Sequence, residues 1–345
     1  MDVPDYELPE AAIAQEPLEP RDAARLLVAL APDGSVTHRR VRDLPEILEP
    51  DDLVVVNTSR VLPARLHLRK KTGGAAEVLL LEPGPGGAPC WVALVRPGRR
   101  VPPGTVLEAE GEPWVEVGEH LDDGRRLVRL LHPEALDQVG TVPLPPYIHR
   151  PLADPERYQT VYAERPGSVA APTAGLHLTE GVLDRLRGRG VEVRSVDLAV
   201  GLGTFKPVTA QRPEDHVMHV ERYSVPASTM EACRGSRRVV AIGTTTVRAL
   251  ESAAATGELE GRSDLFIHGD YPFAVVDVLM TNFHLPRSSL LLLLESFAGT
   301  RWRSLYGEAL AQGYRFLSFG DAMLIGRGGG GQSRESGEGL GGGVR

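Results

Sequence analysis

The chain is short of several residue types, and each shortage narrows what it can be. Cysteine occurs only as Cys90 and Cys233, far apart. Two lone thiols give neither a disulfide framework nor a metal-ligand set, and they suit a reducing, cytosolic setting. The apolar runs are short, five residues at Leu290 to Leu294 and six at Leu26 to Ala31, against the roughly 20 that a membrane-spanning helix needs. The first residues, Met-Asp-Val-Pro-Asp, have neither the basic nor the apolar segment of a secretion signal, so a cytoplasmic location is expected. Lysine is confined to Lys70, Lys71 and Lys206, and asparagine to Asn57 and Asn282. The cations are therefore almost all arginine. Arginine recognises phosphate in two-pronged fashion, although genome composition is the blander cause of the bias and the favoured one. The net charge of -8 argues against a nonspecific nucleic-acid coat protein but leaves room for a local basic groove.

What is present is a long, well-patterned chain. Its 345 residues, 42% apolar, exceed one average domain. Residues 23–30 read as a strand, followed by a Pro-Asp-Gly turn, and residues 51–57 (DDLVVVN) read as a fully buried strand. Between residues 62 and 140 the texture changes. Short β-rich runs at 76–81, 90–95, 105–107, 114–117 and 125–131 alternate with Gly/Pro turns, which predicts an antiparallel barrel or sandwich. Beyond residue 165, strands at 168–171, 191–200, 237–243 and 315–318 alternate with helices. Thr179 caps the first of these, which ends at Gly188 and Gly190; another runs 246–255 to Gly257, one opens at Ser288/Ser289, and one covers 302–312. Strand–helix alternation predicts an α/β layer with a parallel or mixed sheet. The expected organisation is an α/β domain with a mixed sheet (residues 1–60 and 145–325), an inserted all-β, barrel-like domain (61–144), and a disordered tail (326–345) with ten glycines in twenty residues.

In an open α/β sheet, ligands bind beyond the carboxyl ends of the strands, so the segments after each strand are the candidates. Gly243, Thr244, Thr245 and Thr246 open a helix and can cradle an anion or ribose hydroxyls, or merely cap it. Arg248 sits in that helix's first turn, where the helix dipole disfavours a cation, so an anion is expected beside it. Gly201, Gly203 and Thr204 allow close backbone approach to a ligand, or form an ordinary turn. Thr173, Gly175 and His177 lie in a small-residue loop leading to a helix; a histidine there has lowered basicity. Asp215 precedes His216 and His219, but an HxxH without a further ligand is a weak zinc signal, and no metal is expected. Asn282, His284 and Arg287, with Ser288 and Ser289, crowd the start of a very apolar helix and can grip a carboxylate, phosphate or base edge. Asp321 follows the last expected strand. In a proline-rich connector, Tyr147, His149 and Arg150 could stack on and grip RNA. Asn57, Arg60 and Arg65, and the cluster Arg96, Arg99 and Arg100, are further RNA-contact candidates; such clusters are also common as solvated faces.

Taken together, IAQEPLEPRDAARLLV, VVNTSRVLPARL, VPLPPYIHR, ERYQTVYAERPGSVAAPTAGLHLT, VGLGTFKPV, DHVMH, AIGTTTVRALE, TNFHLPRSSLLLLLESFAG and YRFLSFGDAMLI resemble the S-adenosylmethionine:tRNA ribosyltransferase-isomerases of queuosine biosynthesis. The resemblance runs in order over about residues 1–325. It departs at Leu178, where the family usually has Phe, at Thr58, usually acidic or amide, and at Phe319, usually Tyr. It implies an α/β domain carrying an inserted barrel; a monomer is the expected state. It implies that S-adenosylmethionine is a consumed substrate rather than a cofactor. Its ribosyl part would pass to the aminomethyl-deazaguanine wobble base of tRNA, become an epoxycyclopentanediol, and release adenine and methionine. Such chemistry needs a base near the sulfonium, help for departing adenine, and anchors for carboxylate and phosphate. His177 or His284 is the expected base, with Asp215 and Asp321 in reserve. Arg248 and Arg287 are the expected anion anchors, and Gly243 to Thr246 the ribose lining. A noncatalytic RNA-binding module and a histidine-metal hydrolase are the competing readings; the first would be more basic and the second would carry a better ligand pattern.

Overall fold

A computed structural model describes residues 3–31, 33–121, 124–132, 134–201, 212–213 and 220–328. Its centre is a nine-stranded sheet in the order β16-β14-β13-β3-β15-β17-β18-β1-β2. The strands are β1 (Arg25–Ala29), β2 (Thr37–Arg40), β3 (Asp52–Asn57), β13 (Glu192–Leu198), β14 (Glu221–Ser224), β15 (Arg238–Ile242), β16 (Glu260–Ser263), β17 (Val278–Asn282) and β18 (Ala322–Gly326). β13, β3, β15 and β17 run parallel, while β14, β16, β18 and β2 contribute antiparallel pairings.

Of the parallel strands, β3, β15 and β17 are buried on both faces, so both faces need covering. Leu53 and Val55 of β3, Val239 and Ala241 of β15 and Leu279 of β17 face one core. Helices α4 (Ala227–Gly235), α5 (Thr244–Thr256), α6 (Ser289–Ala298) and α7 (Trp302–Ala311) contribute to that core. The alternate residues Val54, Val56, Val240, Ile242 and Met280 face a second core, closed by α1 (Leu44–Ile47) and α3 (Glu180–Gly188). Helix boundaries follow local chemistry: Thr179 Oγ1 accepts from Val182 N, Ser288 Oγ accepts from Leu291 N, and α5 stops at left-handed Gly257.

The barrel is β5 (Arg65–Lys70), β6 (Ala75–Pro83), β7 (Cys90–Arg96), β10 (Arg126–Leu130), β9 (Glu112–His120) and β8 (Thr105–Ala109), closed by pairing of β8 with β5. Leu66, Leu68, Val78, Leu80, Val95 and Val115 fill it. It leaves the α/β layer after β4 (Ser59–Val61), which pairs in parallel with β12 (Arg165–Ser168), so the two crossings are stitched together. β11 (Gly140–Thr141) and α2 (Ala135–Val139) close the return path. No helix among the described residues is long and apolar enough to cross a membrane.

Two expectations need correction. Residues 315–318 are not a sheet strand: Leu317 has φ +69°, and the segment makes only an isolated bridge between Ile13 and Phe316. The closing strand is β18 instead, and it extends through Gly326, where the tail was expected to begin. β17 was not anticipated, because the short apolar run before Asn282 carries no period that separates strand from helix.

Candidate active site at the carboxyl edge of the sheet

Because β3, β13, β15 and β17 are parallel, their carboxyl ends share one edge, which brings Asn57, Leu198, Ile242 and Asn282 together. The 3-10 turn Thr173–His177 packs onto this edge. Gly243 follows β15 at φ +90°, a conformation that favours glycine, and a Cβ there would sit 3.7 Å from the Ala174 Cβ. The start of α5 therefore abuts the turn.

Asn282 is the hub. Its Oδ1 accepts from Thr173 Oγ1 at 2.9 Å, and its Nδ2 lies 3.0 Å from His177 Nε2 and donates to the Asp321 carbonyl at 3.3 Å. A carbonyl can only accept, so this contact fixes which amide atom is nitrogen. His177 Nε2 must then accept, and the ring proton resides on Nδ1. Burial pushes the His177 pKa down to about 4; Asp321 opposes the shift, while Arg315, Arg21 and Arg157 reinforce it. His284, two residues further on, has Nε2 2.9 Å from Thr281 Oγ1, and its backbone N–H donates to Tyr306 Oη at 2.8 Å. Burial alone pushes its pKa down to about 3. Both imidazoles are neutral near pH 7.

A small cleft opens beside this network, lined by Tyr147, Thr173, Asn282, His284, Ser288 and Ser318, among others. His177 backs Asn282 from behind, while His284 lines the cleft itself. Tyr147 Oη and Ser318 Oγ are 2.7 Å apart, and burial pushes the phenol up to about 12 despite that bond. The cleft, about 30 Å³, offers hydroxyls, an amide and an uncharged imidazole against a wall of Phe283, Leu285, Leu290 and Leu317.

The structure corrects several expectations for individual residues. Asn57 is fully buried and faces no RNA. Its amide donates to Leu198 O (3.0 Å) and Thr245 Oγ1 (3.1 Å) and accepts from Ser59 N and Leu198 N (3.1 Å each), tying three strand ends to α5. Asp321 is no spare base. It is 1% exposed, bridges Arg25 at 3.0 Å, and accepts from the backbone of Arg25 and Arg315. Arg248 does have its anion, but it is the buried Glu221 of β14, whose other oxygen accepts from Gly201 N. Arg287 points outward at φ +54°, half-exposed, with its guanidinium 3.8 Å from Asp5. The close approach at Gly175 comes from Tyr162, not from an open ligand space: a Cβ would lie 2.0 Å from Tyr162 Oη. Thr246 spends its hydroxyl on Ile242 O at 2.7 Å, and Thr244 is buried beside it. Tyr147 faces the cleft rather than an open stacking surface.

Among the other basic candidates, Arg60 pairs with Glu156 at 2.6 Å and Arg150 with Glu16 at 2.7 Å, and the His149 backbone N–H donates to Gln15. Arg65 is half-buried between Glu77 and the Leu144 carbonyl. Arg96, Arg99 and Arg100 are all exposed. Gly203, Thr204 and Asp215 lie outside the described residues. Sequence reading missed Ser318, Glu221 and Tyr162. Nothing local marks them, since each is defined by a partner outside its own element: Tyr147 for Ser318, Arg248 for Glu221 and Gly175 for Tyr162.

The fold is an α/β layer with a small uncharged cleft at its strand ends and a closed barrel spliced in after β4. The chain belongs to the queuosine biosynthesis protein family, whose model matches residues 2–325. It is 51% identical over 324 residues to the S-adenosylmethionine:tRNA ribosyltransferase-isomerase of Rubrobacter xylanophilus, covering 93% of this chain and 96% of that one. It is 52% identical over 347 residues to the protein of the same name from Thermus thermophilus, covering 93% and 98%. The crystal structure of S-adenosylmethionine tRNA ribosyltransferase from Thermotoga maritima is similar over 93% of this chain and 99% of that chain, with 37% identity and a TM-score of 0.53.

Proposed function

We infer that this chain is an S-adenosylmethionine:tRNA ribosyltransferase-isomerase. It transfers the ribosyl part of S-adenosylmethionine to the aminomethyl-deazaguanine wobble base of tRNA and isomerises it, giving epoxyqueuosine-tRNA with release of adenine and methionine. S-adenosylmethionine is consumed as a substrate, and the enzyme works as a cytoplasmic, RNA-binding monomer without a resident cofactor or metal.

The observation that carries this reading is the meeting of Thr173, Asn282 and His284 in one cleft at the carboxyl edge. S-adenosylmethionine brings a sulfonium cation. A protonated imidazole would repel it, whereas an imidazole kept neutral by burial does not; the same burial weakens it as a proton acceptor, so the transfer depends on the acidity of the C–H. The sulfonium already acidifies the neighbouring ribose C–H, so the protein need supply only a positioned acceptor. His284 lines the cleft and is the leading base, while His177 holds Asn282 from behind. Thr173, Asn282, Ser288 and Ser318 supply hydrogen bonds for ribose and carboxylate. Exposed Arg96, Arg99 and Arg100 supply phosphate contacts for tRNA.

The test is to incubate the protein with S-adenosylmethionine and tRNA carrying the aminomethyl-deazaguanine. Free adenine and a matching mass gain on the tRNA, unaffected by chelator, are expected. Tight tRNA binding with no adenine would favour a binding module, and loss of turnover on chelation a metal enzyme.

A further inference from the structure

The outer face of β5, β6 and β7 is built in two cross-strand rows. Register sets Arg65 opposite Leu79 and Leu79 opposite Leu94; the adjacent row sets His67 opposite Glu77 and Glu77 opposite Arg96. These side chains form one wall of a cleft of about 650 Å³, and the proline-rich connector forms the other through residues such as Leu144, Ile148 and Leu152. That volume lies in the range of small-ligand sites. Its walls are apolar and its rim is cationic, within a chain of net charge -8. Glu77 engages Arg65 at 3.3 Å and His67 at 4.0 Å, which leaves Arg96 exposed and without an ion-pair partner among the described residues. Arg65 Nε is buried and has no acceptor among the described residues. The connector joins this cleft to the catalytic one: Ile148 lines the first, and its neighbour Tyr147 lines the second.

We propose that the cleft between barrel and connector holds an unpaired nucleotide of the tRNA next to the reacting base. The inference rests on the tRNA-modifying function above. The base lies between Leu79 and Leu94 on one side and Ile148 on the other, where apolar surface takes its faces. Arg65 and Arg96 take the adjoining phosphate, and Glu77 accepts from a base N–H. One residue step along the connector then separates the nucleotide that is held from the nucleotide that reacts.

The experiment measures binding of a fluorescein-labelled anticodon stem-loop RNA carrying the aminomethyl-deazaguanine, by anisotropy, alongside adenine release. Leu94→Trp fills the cleft, Arg96→Glu reverses its rim charge, and Arg129→Glu alters the barrel surface away from it. The first two are expected to weaken RNA binding at least tenfold and raise the KM for tRNA without changing the KM for S-adenosylmethionine; Arg129→Glu is expected to stay within twofold. An abasic site beside the wobble position is expected to weaken wild-type binding tenfold and to leave Leu94→Trp no weaker than before. Unchanged binding in both cleft variants overturns the proposal, as does an equal loss in Arg129→Glu, which would mean general electrostatics. Because binding is read separately, absence of adenine release from the wild type would count against the proposed reaction and not against the cleft. Should Leu94→Trp fail to fold, Arg96→Glu with the abasic RNA still decides.

Discussion

Gly175→Ala tests whether the active-site turn is set by packing. A methyl on Gly175 would lie 2.0 Å from Tyr162 Oη, 3.0 Å from Thr160 Cγ2 and 3.1 Å from Tyr162 Cζ. Ordinary contacts between such atoms are about 3.5 Å, so the turn or the tyrosine must move by more than about 1 Å. Gly175 is outside the left-handed region, so alanine meets no backbone penalty and the effect is purely steric. Overpacking of this size costs about 1–3 kcal/mol. The catalytic cost is expected to be larger. A shift of the turn stretches the 2.9 Å Thr173 and 3.0 Å His177 bonds to Asn282, and a misplacement of about 1 Å can cost roughly 100-fold in rate. The expected outcome is a folded protein, a few degrees less stable by calorimetry, with adenine release down about 100-fold. Tyr162 Oη has no partner among the described residues, so Tyr162→Phe removes the 2.0 Å clash, leaving only the milder contacts at 3.0 and 3.1 Å, without orphaning a polar group. Gly175→Ala/Tyr162→Phe should therefore recover at least a tenth of the lost rate. Full activity in Gly175→Ala, or no recovery in the double variant, would refute the steric account.

Three further outcomes follow from the same geometry. His177 and His284 are neutral when folded down to about pH 4 and 3, but protonate near 6.5 when unfolded. The unfolded state thus binds more protons below pH 6.5, and stability falls as pH drops from 6.5 towards 4 by about 1.4 kcal/mol per unit per histidine; urea unfolding of wild type and His177→Ala across that window should give a shallower slope for the variant, and equal slopes would contradict the burial assignment. Asn57→Ala orphans the Leu198 and Ser59 backbone groups and should cost about 2–4 kcal/mol in urea unfolding; a loss below about 0.5 kcal/mol would show that Asn57 is not the latch. His284→Ala should fold and lose more than about 100-fold in turnover, and near-native turnover in both His284→Ala and His177→Ala would remove histidine from the base role.

Sequence by itself determined the layers. Alternation between β-rich runs and Gly/Pro turns marked the barrel, and Asp52–Asn57 and Arg238–Ile242 showed the continuous apolar pattern of strands buried on both faces. Caps such as Thr179 and Ser288 set helix starts, because capping is local chemistry readable within four residues. Nine motifs in order determined the family. What only the tertiary structure decided is which polar residue meets which. Asn57 lies 141 residues from Leu198 and 188 from Thr245, yet bonds to both. Arg248 finds Glu221, Asp321 finds Arg25, and Tyr162 closes on Gly175. Hydrogen-bonding capacity is a property of a side chain alone, but its satisfaction depends on the chain crossing that brings a partner within about 3 Å. Residues that looked equally available for chemistry in the sequence were therefore sorted by the fold: Asn57, Asp321 and Arg248 into the frame, and Thr173, Asn282 and His284 onto the cleft.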